Sequence, residues 1–106
     1  MAFKDKSWWH IRLNRKTRHS ALIVNESDSS RKGKYEFLDI TTKPPKSGSY
    51  IKLDKPINNK NDISHVRRYV GSDFKKIFSQ WVMKYKIDDK DIKKIEQYLK
   101  NKKSRW

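Results

Sequence analysis

The chain has 106 residues, with 27 Lys and Arg against 12 Asp and Glu, a formal charge of +15, no cysteine, four Trp, five Tyr and four Phe. Disulfides and thiolate metal sites are excluded, and apolar runs of only a few residues exclude a membrane-spanning helix. Charge of this size says little about fold but selects anionic partners: RNA, DNA or an anionic membrane surface.

The length suits one domain, residues 1–106, with one modest core. Residues 1–6 read as a mobile lead-in without an apolar targeting stretch, so a cytoplasmic location is expected. Trp8 to Leu13 alternates, with Trp9, Ile11 and Leu13 against Trp8, His10 and Arg12, the period of a half-buried strand. The basic loop Asn14-Arg15-Lys16-Thr17-Arg18-His19-Ser20 follows, and Ala21 to Val24 reads as a second strand that anchors it. Asn25 to Lys34 is polar and turn-rich. Tyr35 to Thr42 gives a third strand with Leu38 and Ile40 facing the core. Pro44 and Pro45 stop it, because neither ring nitrogen can donate to a ladder.

Ser49 to Leu53 gives a short fourth strand with Ile51 and Leu53 inward, followed by a loop over residues 54–62. Ser64 to Val70 is predicted as a fifth strand, with Val66 and Val70 on one face and His65, Arg67 and Tyr69 on the other. Gly71 breaks that pattern and Ser72 is placed to cap a helix. Phe74, Ile77, Phe78, Trp81, Val82 and Tyr85 then fall at helical spacing and predict a core-facing stripe. A second helix is predicted from Asp88 or Asp89, with Ile87 stapled to Ile92 and an apolar edge of Ile92, Ile95 and Leu99. Residues 101–106 read as a basic tail. Five short strands followed by two helices make an α+β, mainly β domain, bent or closed into a small barrel with the helices packed at one side or end.

Cationic side chains on an anchored loop suit phosphate binding, since phosphate contacts carry most nucleic-acid affinity. Arg12, Arg15 and Lys16 are expected there, with Lys43 and Lys46 beside the third strand. His65, Arg67 and Tyr69 share a face suited to stacking and phosphate contact, with Arg68 between them; Trp8 is either a further stacking platform or packed under a helix. The same pattern also fits a plain solvated face. The C-terminal helix is basic, but its apolar edge is too thin for stable membrane insertion; no membrane partner is expected.

The segments His19-Ser20-Ala21-Leu22-Ile23 and Ile40-Thr41-Thr42, with Lys52-Leu53-Asp54-Lys55-Pro56 after them, resemble the MazF/PemK/Kid ribonuclease toxins and their ToxN-type relatives. The family arginine falls on His19, with Arg18 one place earlier, and the family proline is Ser20. The resemblance implies an SH3-like barrel, common homodimerisation, an antitoxin partner (protein or RNA), and metal-independent, cofactor-free RNA cleavage through a 2′,3′-cyclic phosphate. RNA is then favoured over DNA. Such chemistry needs a base, a cation and a proton donor. His19, Arg18, Thr41 and Thr42 are the candidates, with His65 as an alternative base. The competing expectation is a non-enzymatic DNA- or RNA-binding accessory protein of a phage or mobile element.

Overall fold

A computed structural model describes residues 9–26, 33–57 and 62–104. Trp8, the lead-in 1–6, most of the loop 25–34, part of the loop 54–62 and the last two residues lie outside the described residues. Among the described residues the elements are β1 (His10–Asn14), β2 (His19–Glu26), β3 (Lys34–Thr41), β4 (Tyr50–Lys52), β5 (His65–Arg67), β6 (Gly71–Phe74) and α1 (Asp89–Ser104), with a 3-10 turn at Lys75–Ile77. The described residues form a mainly β architecture, an antiparallel sheet of six strands with one C-terminal helix. Five strands and two helices were expected.

The sheet runs β1-β2-β3-β5-β4, and β6 also pairs with β3. Along β3, Thr41 and Ile40 pair with His65 and Val66, while Phe37 pairs with Gly71 and Lys34 with Phe74. Between these two sets the partner chain holds two more residues than β3, so the expected strand Ser64–Val70 bulges over 67–70. It then resumes as β6. Gly71 does not end the strand; it lets the Phe37 ring lie close, where a Cβ would stand 3.0 Å from Phe37 Cζ.

The helix expected from Ser72 to Tyr85 does not form. After the 3-10 turn the chain runs extended along the free edge of β1. Arg15 N–H donates to Ile77 O (2.8 Å), Ser79 N–H to Leu13 O (2.8 Å) and Met83 N–H to Ile11 O (2.7 Å). The stripe is therefore split: Phe78 is buried, whereas Phe74, Trp81 and Val82 are 49%, 62% and 47% exposed. Phe, Ile, Trp, Val and Tyr fit a pleated surface better than a helix, and β1 supplies an edge with donors and acceptors to satisfy.

The two faces of the sheet bury separate cores. One packs Ile11, Leu22, Leu38, Ile40, Ile51 and Val66 against Ile87, Ile95 and Leu99 beside and within α1, as the alternation predicts. The other joins Ala21, Ile23 and Phe37 to Phe78, with Phe37 and Phe78 edge-to-face at 5.1 Å. The second helix starts where expected. Asp88 accepts from Lys90 N–H (3.1 Å), a bond that holds its carboxyl below the usual range. Ile87 and Ile92 meet in the same core. The helix continues to Ser104, so residues 101–104 extend it rather than forming a tail.

Asp91, fully buried, clips α1 to the sheet: its carboxylate accepts from Asp54 N–H (2.9 Å) and Lys55 N–H (3.2 Å). Lys94 lies 3.6 Å from it. Among the described residues no helix is long and apolar enough to cross a membrane.

Candidate nucleic-acid interface

The basic loop is shorter and better held than the sequence suggests. His19 and Ser20 already belong to β2, paired with Asn14 and Leu13, so only Arg15 to Arg18 form the turn. Asn14, 2% exposed, organises it: its Oδ1 accepts from Lys16 N–H (3.0 Å) and Thr17 N–H (3.2 Å), and its carbonyl from Arg18 N–H (2.7 Å). This local side-chain capping is what asparagine does in turns. Arg18 closes the turn with φ +64°, a left-handed conformation costly for a residue with a Cβ. Arg15, Lys16, Arg18 and His19 are all exposed at this tip.

The hairpin exit and the end of β3 meet in a depression of about 290 Å³. Arg18, His19 and Ser20 line one side, Thr41, Thr42 and Ser64 another, over Ile40, Ile57 and Tyr85. The meeting follows from register. Ser20 pairs with Ile40, which places His19 and Thr41 together at the same end of adjacent strands. Thr41 Oγ1 accepts from Lys43 N–H (3.2 Å), fixing the chain as it leaves the depression. Lys43 and Lys46 are exposed in the proline loop beyond.

Four of the five expected catalytic residues thus share one concavity. His65 does not line it; Ser64 does. His65 sits next along the same row, cross-strand from Thr41 and Lys52, with its Nδ1 buried and without a hydrogen-bond partner.

Antiparallel neighbours share a face, so β3 residues Asp39 and Thr41 lie on the face that carries His65 and Arg67. Asp39 adds a carboxylate to this face that the sequence alone does not single out. Its side chain is 4.0 Å from Arg67 Nη1, and its Oδ1 is buried without a hydrogen-bond partner. Burial raises its pKa above 3.8, against the opposing pull of His19 and Arg67. Arg67 lies 5.1 Å from the Tyr69 ring centroid, and Tyr69 is 56% exposed. A cation–aromatic pair therefore stands further along the face, as the strand alternation predicts.

The remaining candidates fall elsewhere. Arg12 is a strut: its guanidinium donates to Ser79 O (2.8 Å), Gln80 O (3.0 Å) and His10 Nε2 (2.9 Å), tying the returning segment to β1. It has little left for phosphate. Lys16 reaches Asp73 at 3.9 Å but is largely exposed, so that pair is weak. Arg68 opens onto the opposite side, beside β4 and α1. Trp8 lies outside the described residues.

Two site residues were missed besides Asp39. Tyr85, expected in the helical stripe, lines the depression, and so does Ser64, expected as the start of a strand. The Asp39–Thr41 alternation could have flagged the first; nothing local marks the other two. The chain matches no known protein family, no curated protein and no solved structure.

Proposed function

We propose that this chain is an RNA-binding protein of MazF-like type that grips a single strand at the hairpin tip and cuts it, without metal, in the sheet-end depression. One observation carries this reading: Arg18 and His19 from one hairpin meet Thr41 and Thr42 from a separate strand end. The strand circuit supports the SH3-like barrel of that family. β1, β2, β3 and β6 are joined in sequence by pairing, and the 3-10 turn returns the chain to β1.

In this reading His19 takes the proton of the ribose 2′-hydroxyl, and the freed oxygen attacks the adjacent phosphorus. The P–O5′ bond breaks, the 5′-oxygen leaves with a proton from solvent, and a 2′,3′-cyclic phosphate remains. Arg18 holds the non-bridging oxygens as charge builds on them. Thr41 and Thr42 donate to the same oxygens, and Arg15 and Lys16 hold flanking phosphates. An acidic antitoxin protein or an RNA would cover this cationic face, and a second copy of the chain could complete it; the site of action is the cytoplasm.

A second reading, a non-enzymatic DNA- or RNA-binding accessory protein, draws on one observation: His65 lies outside the depression, so no second imidazole stands beside His19. Two variants separate the readings. His19→Ala should abolish turnover while leaving RNA affinity, read by fluorescence anisotropy, within a few-fold. Arg15→Ala with Lys16→Ala should weaken binding under both. Wild-type protein that binds RNA without turnover favours the accessory reading.

A further inference from the structure

A second concavity, about 660 Å³ and more than twice the volume of the depression, lies between β4 and α1. Its size is that of a small-molecule site, which typically spans roughly 300–1,000 Å³. The walls are fixed in advance. Lys94 Nζ donates to Lys52 O (3.2 Å) and Asp54 Oδ1 (2.8 Å), and Arg68 N–H donates to Ser49 O (2.9 Å). With Asp91 clipping the same loop, β4 cannot drift from the helix without breaking several bonds.

The lining combines three chemistries. Buried Ile51 and partly buried Tyr98 give an apolar wall with a planar ring. Gln97, exposed on the helix, donates from Nε2 to Asn101 Oδ1 at 3.1 Å, one turn on. That bond fixes the Gln97 amide plane and leaves its Oε1 acceptor and second N–H for a ligand. Arg68, exposed at the rim, adds a guanidinium. A ring to stack on, an oriented amide and a cation are the parts that hold a nucleotide: base face, base edge and phosphate.

We infer that this groove binds one nucleotide of single-stranded RNA, with its base on Tyr98 and its phosphate at Arg68. An amide acceptor and donor side by side complement the adenine N6–H and N7, and a purine covers more of the Tyr98 ring than uracil does, so adenine is preferred to uracil. The inference rests on the RNA reading above and adds a base-selective subsite to it. Arg68 stands between Arg67 and Tyr69, whose cation–aromatic pair lies on the opposite face of the strand.

The test is amide correlation NMR of the full chain titrated with 5′-AMP, 5′-UMP and inorganic phosphate. Saturable shifts at the Gln97 and Asn101 side-chain amides and at Tyr98 are expected with 5′-AMP, weaker ones with 5′-UMP and none with phosphate. Gln97→Ala, on the exposed helix face, should weaken 5′-AMP about tenfold, the loss expected of one bidentate amide. Arg68→Ala should weaken both nucleotides alike. Silence of these signals at millimolar 5′-AMP, or equal shifts with phosphate, overturns the groove. RNA binding that persists and depends on Arg15 and Lys16 would then leave the wider reading standing. A chain that binds no RNA at all overturns both.

Discussion

Arg18 is the residue at which local conformation and proposed function pull apart. A left-handed turn position favours glycine, and backbone strain kept at a cationic tip points to a use for the side chain. Arg18→Gly relieves the strain but loosens the unfolded chain, so stability should stay within about 0.5 kcal/mol of wild type by denaturant unfolding. RNA affinity should fall about tenfold, because a charge-assisted phosphate contact is lost. A large loss of stability would show that the guanidinium props the turn instead.

Asp39 tests the electrostatics of the same face. Its pKa is raised by burial, so the folded state holds its proton to higher pH than the unfolded state does. Its contribution to stability is then fully present below the usual 3.8 and is lost as pH rises through the raised value. Asp39→Asn should therefore raise the unfolding midpoint at neutral pH, and the gain should vanish as pH falls below that usual value. A variant less stable than wild type at pH 7 would mean that the Arg67 pair outweighs burial.

At the scale of elements, what was legible followed from alternation and what was not followed from tertiary pairing. Leu38 and Ile40, Ile51 and Leu53, and Ile95 and Leu99 are buried as their periods predict, and Asp88 begins the helix as its capping chemistry requires. The 72–85 segment misled because its apolar residues satisfy a 3.6-residue period as well as an edge-strand composition. Only the unfilled edge of β1, remote in sequence, decides between them. The site was half legible for the same reason: the basic tip and Thr41–Thr42 stand out locally, but Asp39, Ser64 and Tyr85 join them only through register and chain return.

Single substitutions separate these two packings. Phe78→Ala empties the second core and should cost about 3–5 kcal/mol, whereas exposed Trp81→Ala should change stability by about 0.5 kcal/mol or less. A helical stripe would make both costly. Urea unfolding of the two variants reads the difference directly.

At the scale of the whole molecule, a charge of +15 makes long-range attraction to polyanions unavoidable, so specific engagement must be read against it. For single-stranded RNA, log affinity should fall with log salt by about 0.7 per phosphate contacted. Removing Arg15 and Lys16 together should flatten that slope by about 1.4. An unchanged slope would place the RNA elsewhere on the surface. Removing Arg12, held by the Ser79 and Gln80 carbonyls, should lower stability with little change in slope.

The most direct measurement is incubation of the purified chain with a long single-stranded RNA in EDTA, resolved on a denaturing gel with His19→Ala alongside. Discrete fragments ending in 2′,3′-cyclic phosphate, absent with His19→Ala, are the predicted result and place the chemistry in the sheet-end depression. Intact RNA under these conditions, or fragments that persist with His19→Ala, would contradict it.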